Sequence, residues 1–400
     1  MEKIKSVKFD AYLDNFIRNY SITGNFNPRE FQELLSKATL SEDRDLRRVA
    51  CKIIRRLRLK NLLPYIRILL NDEDPVVRSL SLLAIAQFKD QMSYSKVVEA
   101  YNCDNKMVRA SSILALGSLD RQEGYELIYK SLNDTSEEIR ENAVIALSWI
   151  NNPKSIQTLL ELYEKEESKN IKNRIIKAFM INSSNEINKK LEDIIFKEND
   201  ETLILTAINS LLRKGVTKYN ILANTILYRN IDQNLKNSKY VEGDRKHLYS
   251  IVSHNIWELK SINPQEQKQI FKFLEEDLVN KYYFRSEEIR KISISSLKNL
   301  DSDYHQIIIK LLQTTLSTYL KIEVINFLAS HKVDKNLKFL LLEFLFDTDR
   351  MVREQVLFAV MDSVALRSIV SYVNDKLFSL DYGYLKLIAL AVVYNTYSTY

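Results

Sequence analysis

DPVVRSLSLLAIAQF, residues 74–88, decides how this chain folds, because the phrase keeps returning. It is followed by NKMVRASSILALGSL (105–119) and SEEIRENAVIALSWI (136–150), and far downstream by SEEIRKISISSLKNL (286–300). Anchored on its basic residue, it recurs at Arg47, Arg78, Arg109, Arg140, Lys172, Ile204, Tyr249, Arg290, Lys321, Arg353 and Lys386. The steps are 31, 31, 31, 32, 32, 45, 41, 31, 32 and 33 residues. A period of this size means supersecondary units stacked side by side, each burying its apolar face against its neighbours, rather than one globular core.

The columns of the repeat assign it to helices. The residue before the anchor is apolar in every copy (Leu46, Val77, Val108, Ile139 and onward), and so is the residue seven after it (Ile54, Ile85, Leu116, Leu147 and onward). A separation of eight is just over two helical turns, so both columns share one helix face. Three after the anchor the side chain is usually small (Ala50, Ser81, Ser112, Ala143, Ala207, Ser293, Ala389), which lets neighbouring helices approach closely. Four before it, nine of eleven copies have Asp, Asn or Ser, among them Asp43, Asp74, Asn105, Ser136 and Asp349. These side chains accept from the free N–H groups of a first helical turn, each cap contributing ~1 kcal/mol. Pro75 follows Asp74 where a missing N–H costs nothing.

The anchor itself sits about one turn into this helix, where a cation is disfavoured by ~0.3–1 kcal/mol. A compensating acid is therefore expected, most simply the capping carboxylate of the same or an adjacent repeat. Ahead of each cap lies another amphipathic stretch, such as NLLPYIRILL (61–70), GYELIYKSL (124–132), SIQTLLELY (155–163) and NLKFLLLEFLF (336–346). Each unit is thus a helical hairpin.

The phrase cap–x–x–[VIL]–[RK]–x–x–small–x–x–x–[LIVF], over about residues 30 to 400, resembles the HEAT-repeat family, particularly its bacterial lyase-like branch. The resemblance implies an all-α, right-handed α-solenoid of about eleven stacked helical hairpins. It also implies a ladder of Asp and Arg between repeats, and second helices lining a concave groove. Ile204 and Tyr249 depart from the pattern by losing the basic anchor, where the period also lengthens.

Composition agrees with helices joined by short polar turns. Gly (6) and Pro (5) fall far below the roughly 28 and 20 of average usage. Cys51 and Cys103 lie apart with no ligand pattern around them, so they read as small core residues or free thiols without a disulfide framework. MEKIKSVKFDAYLDNFIRNY (1–20) has no apolar signal core, and its Ile4, Val7, Ala11 and aromatic neighbours suit an amphipathic capping helix. No apolar run reaches the ~18–20 residues of a membrane span, so a cytoplasmic location is expected. The polar stretch RNIDQNLKNSKYVEGDR (229–245) reads as an insertion or bend between an N-terminal array (1–228) and a C-terminal array (246–400), or as one long turn in a continuous solenoid.

Charge is concentrated at one end. Residues 1–60 carry 14 Lys plus Arg against 8 Asp plus Glu, a net of +6 that equals the excess of the whole chain. Most of it lies in RDLRRVACKIIRRLRLK (44–60), where Arg48, Lys52 and Arg55 share a helix stripe, with Arg56 beside it. Such a stripe fits an acidic protein segment or phosphates, or is the polar face a terminal repeat needs.

If second helices line the groove, the positions one, five and eight after each anchor face it. They supply Arg48, Lys52 and Arg55, then Lys177, then His254 and Trp257, then Lys291 and Lys298, then Phe358. Between them lie apolar or small sets such as Ser79, Leu83, Ala86 and Ala110, Leu114, Gly117. An apolar floor with scattered cations and one Trp suits a protein segment. Trp257 either anchors a partner or packs on the 229–245 stretch.

YGYLKLIALAVVYNTYSTY (382–400) is apolar on most faces, unlike a polar terminal repeat. It is expected to dock on a second copy or a partner, or to fold back as its own lid.

Of the four histidines (His247, His254, His305, His331) none is followed by Glu. HExxH, GxSxG, P-loop and GxGxxG motifs are absent. The expectation is therefore a non-enzymatic adaptor without cofactor or metal, holding a protein partner in its groove. A nucleic-acid-binding solenoid using 44–60 is the alternative, with weak, salt-sensitive binding. A cofactor-less lyase-like enzyme stands third, by fold analogy alone.

Overall fold

The computed structural model describes residues 3–150, 152–181, 184–219, 316–330, 340–363, 370–375 and 382–397, with a few isolated positions between. Its helices are α1 (Ser6–Thr23), α2 (Pro28–Thr39), α3 (Arg44–Arg56), α4 (Leu63–Leu69), α5 (Pro75–Phe88), α6 (Tyr94–Tyr101), α7 (Lys106–Leu119), α8 (Gln122–Ser131), α9 (Glu137–Trp149), α10 (Pro153–Lys165), α11 (Lys169–Ile181), α12 (Asn185–Lys197), α13 (Glu201–Arg213), α14 (Thr318–Ser330), α15 (Arg350–Asp362), α16 (Val370–Asp375) and α17 (Gly383–Tyr397). Among the described residues the only β feature is a single bridge between Ile4 and Ser41. The chain is all-α, built of stacked helical hairpins.

Two compact units account for it. The first comprises Met1–Ala178, Val360–Asp362 and Arg367–Tyr400, and the second Phe179–Ala359 with Ser363–Leu366. The anticipated break at 229–245 lies outside the described residues.

Within the first unit the second helices of successive hairpins, α3, α5, α7 and α9, pack directly on one another. Their seams are the periodic columns: Leu46, Val77, Val108 and Ile139, and Ile54, Ile85, Leu116 and Leu147, are all at most 2% exposed. The small column does what its size permits. Ala50, Ser81, Ser112 and Ala143 are fully buried. At Gly117 the approach is closer still, since a Cβ there would fall 2.7 Å from the Ala146 Cβ and 2.8 Å from its Cα.

The caps form as the sequence predicts. The Asp43, Asp74, Asn105, Asp200 and Asp349 side chains accept from first-turn N–H groups of α3, α5, α7, α13 and α15. Ser136 is the exception: its hydroxyl caps nothing and lies buried without a partner.

The anchor's partner differs from the expected capping carboxylate. The Arg47 guanidinium donates from Nη1 to the carbonyls of Ser41 and Glu42, and from Nε and Nη2 to Asp72 at 2.7 and 2.9 Å. Asp72 stands two residues before the next cap, and also accepts the N–H of that cap, Asp74, at 2.9 Å. Arg140 with Glu166 and Lys321 with Asp347 repeat the arrangement. Those acids likewise accept from Ser168 and Asp349. The cap's Oδ1 is engaged by its own helix, as at Asp74. The acid two residues earlier lies in the inter-helix turn, within reach of the previous anchor. Arg78 has no such partner, since Cys103 occupies the position, and it donates only to the carbonyls of Asp72 and Glu73.

Both ends of the chain belong to the first unit. Helix α1 forms, but its buried face is Phe9, Leu13, Phe16 and Ile17. Val7 is 82% exposed, so of the expected Ile4, Val7, Ala11 and aromatic residues it is the aromatic Phe9 and Phe16 that turn inward. Phe9 and its companions follow the i, i+4 and i, i+7 spacing that meets α2.

Helix α17 packs against α1, α2 and α3. Its Tyr394 ring sits 5.2 Å from Phe31 and 6.3 Å from Phe26, and its hydroxyl accepts from Gln32 Nε2 at 2.8 Å. Lys386, the last anchor, pairs with Asp14 of α1 at 3.3 Å. The C-terminal apolar stretch is therefore covered by this chain's own N-terminal helices. Leu387, Ile388, Ala389, Leu390 and Ala391 are fully buried. This favours the lid over docking on a second copy, because the apolar side chains of this helix among the described residues are buried.

In the second unit α12 packs on α13, and α14 carries Lys321 toward the turn before α15.

Candidate partner-docking surface

The seam columns leave one strip of the second helices half-exposed. Five positions after the anchor the series reads Lys52 on α3, Leu83 on α5, Leu114 on α7, Ile145 on α9 and Lys177 on α11, and all five are partly accessible. The residues next to them in sequence, Ile53, Ala84, Ala115 and Ala146, are buried, and on α5 and α7 so are Ser79 and Ala110 one turn earlier. Stacked helices lie about 8–10 Å apart, so the four steps span about 32–40 Å. The result is an apolar floor of three aliphatic side chains between two lysines.

At the α3 end several cations are paired within the chain. Arg47 is 1% exposed and belongs to the ladder. Arg44 lies 3.6 Å from Asp74, Arg48 3.6 Å from Asp45 and Arg56 3.1 Å from Asp362. Burial lowers the pKa of Arg56 and raises that of Asp362, each partly offset by the other's charge. Four cations of the 44–60 stripe are thus matched by acids of this chain, which leaves less of it for phosphates than the sequence suggested.

At the other end α9 and α11 enclose a polar cleft of about 460 Å³, lined by Glu137, Glu138, Glu141, Asn170, Asn173, Arg174 and Lys177. Arg174 donates to Glu141 through Nε at 2.9 Å and through Nη2. Glu138 pairs with Lys106 at 3.3 Å, and Glu137 accepts from Ser168 and Asn170, which hold its carboxyl below the usual range. Lys177 has no carboxylate within ion-pair distance among the described residues. Burial, and secondarily Arg174, lower its pKa, against a weaker pull from Glu141. One turn earlier the Asn173 Oδ1 is buried without a hydrogen-bond partner.

Of the sequence-predicted site residues, Arg48, Lys52, Arg55, Arg56 and Lys177 fall on this face and are partly accessible. Phe358 does not join them. It is 2% exposed on α15, between Leu357 and Ala359, which are also buried, and its ring is core. His254, Trp257, Lys291 and Lys298 lie outside the described residues. Sequence reasoning missed Glu141 and Arg174, whose shared cleft depends on how closely α9 and α11 approach. It also passed over Trp149, 46% exposed at the end of α9.

No cluster of His, Cys, Asp and Glu with metal-holding geometry occurs among the described residues, and no described helix is long and apolar enough to cross a membrane.

The repeat geometry agrees with comparison to known proteins. The family profile for HEAT repeats matches residues 31–106 and 94–180, so the stacked hairpins of this stretch are HEAT repeats. No curated protein matches the chain. Solved structures similar to it include the complex of CpcE and CpcF of phycocyanin lyase from Nostoc sp. PCC7120, at 16% identity and TM-score 0.37 over 61% of this chain and 92% of that one. Kap121p is similar at 13% identity and TM-score 0.41, over 98% of this chain and 54% of that one. A computationally designed armadillo repeat protein for modular peptide recognition is similar at 18% identity and TM-score 0.28, over 50% and 99%.

Proposed function

We propose that the chain is a non-enzymatic scaffold that holds a segment of a partner protein across the second helices α3 to α11. The carrying observation is the partly accessible series Lys52, Leu83, Leu114, Ile145, Lys177, which recurs at one position of successive second helices. Three aliphatic side chains in a row, left open beside the buried Ala84, Ala115 and Ala146, form an apolar floor of the kind partner anchors use. The pairing of Arg44, Arg47, Arg48 and Arg56 with acids of this chain disfavours the nucleic-acid alternative, because a paired guanidinium releases fewer counterions.

Site-specific photocrosslinking tests the reading. A benzophenone side chain at Leu83, Leu114 or Ile145 of the full chain should give defined adducts in lysate of the source cells. The same group at exposed first-helix positions, Lys96 or Glu126, should not. Equal adducts from both sets, or none from the strip, would overturn it.

A further inference from the structure

We infer that the cleft between α9 and α11 is a specificity subsite for an acidic side chain of the docked segment, with Lys177 as its counter-charge. This rests on the docking reading above and adds the chemistry of one end of the partner.

Lys177 closes the half-exposed series after Leu83, Leu114 and Ile145, so a segment lying on that floor runs into it. Its ammonium is half-buried, and desolvation disfavours its charge. Burying a charge costs free energy unless a counter-ion repays it. The nearest acid cannot do so fully, because Glu141 accepts two bonds from Arg174. Glu138 is taken by Lys106, and Glu137 by Ser168 and Asn170. The acids of the cleft are thus committed and its lysine is not.

The second signal is Asn173, on the same helix face one turn before Lys177. Its Oδ1 is buried with no donor, so the cleft leaves one of its own amides unsatisfied. Amide orientation follows from the hydrogen-bond network, and a flipped Asn173 would present its N–H₂ to an incoming carboxylate. An Asp or Glu side chain entering here would satisfy Lys177 and Asn173 together. The cations of α3 stand about 32–40 Å away at the far end of the floor. At about 3.3 Å per residue, roughly ten to twelve extended residues bridge the two ends.

The test selects peptides from a displayed library of random dodecamers on the full-length protein, in parallel on wild type, K177M and L114E. Wild type should enrich peptides with apolar residues in the centre and Asp or Glu toward one end, lost on L114E. Replacing that acid by Gln or Asn should weaken binding to wild type about tenfold, roughly 1.4 kcal/mol, and binding to K177M less than twofold. K177E should instead favour Lys or Arg at the same position. Thermal melts of each variant confirm that the fold is retained. Peptides that depend on Leu114 but show no acid preference, or lose equal affinity on both lysine variants and wild type, overturn the subsite and leave the docking strip standing. Failure to enrich any peptide sensitive to L114E overturns both.

Discussion

At the scale of single residues, the repeat is governed by a bridging arginine rather than a capped one. Arg47 and Asp72 are 2% and 4% exposed in their side chains and share two bonds. Removing one member of a buried pair strands the other, at about 3–5 kcal/mol. R47M should therefore lower the urea midpoint far more than R78M, whose guanidinium reaches only two carbonyls and whose loss should cost roughly 1.5 kcal/mol. C103D should supply Arg78 with its missing acid and raise the unfolding free energy from the same titration by about 0.5–1 kcal/mol. The acid column was legible in the sequence, since Asp72, Asp134, Glu166 and Asp347 recur two residues before the cap. It was overlooked because the cap offered a nearer carboxylate.

A pH dependence belongs to this scale as well. Hydrogen bonding from Arg67, chiefly, depresses the Asp90 pKa, with Ser93 helping and burial opposing. A depressed acid stabilises the fold fully above its unfolded pKa, near 3.9, and loses that contribution as pH falls through the folded value. The melting-temperature gap between wild type and D90N should therefore be constant from pH 5 to 7 and shrink below about pH 4.

At the scale of helices, close approach decides what the columns mean. Gly117 to Ala would ordinarily stabilise a helix interior by ~1 kcal/mol. Here the added methyl meets the Ala146 backbone, so G117A should destabilise by about 1–3 kcal/mol in chemical denaturation. A gain in stability would mean that α7 and α9 pack less tightly than described.

The periodic seams, the caps and the Lys177 position were readable because each recurs at a fixed spacing. Phe358 shows where that logic ends: the same column is half-open on α5, α7 and α9 yet closed on α15. Column membership fixes the angle on the helix, while neighbours decide what covers it. On α1 the reading was right in part. Val7 and Ala11 are apolar at helical spacing, but of the residues expected to pack it is the aromatic Phe9 and Phe16 that carry more buried surface and win the contact with α2.

At the scale of the whole chain, the first unit is completed by its own C-terminus. Full burial of a Leu or Ile side chain contributes about 1.5–3 kcal/mol, and α17 buries several against α1–α3. Deleting residues 383–400 should accelerate amide hydrogen exchange in α1, α2 and α3 by at least tenfold, while α12 and α13 keep their rates. Y394A should show the same pattern more weakly, through loss of the Phe31 contact and the Gln32 bond. Unchanged exchange in α1–α3 after the deletion would show that the contact is dispensable. The sequence offered a lid as one alternative for 382–400 but not what it would cover, because an encounter between residues 31 and 394 leaves no period in a sequence.

That encounter also sets a timetable for biosynthesis. Ala178 leaves the ribosome roughly 200 residues before Gly383 does. At about 5–20 residues per second that is an interval of about 10–40 s. Throughout it the nascent N-terminal helices present oily surface meant for a segment not yet translated, so this chain should depend on holdase chaperones more than a repeat array that finishes each unit as it emerges.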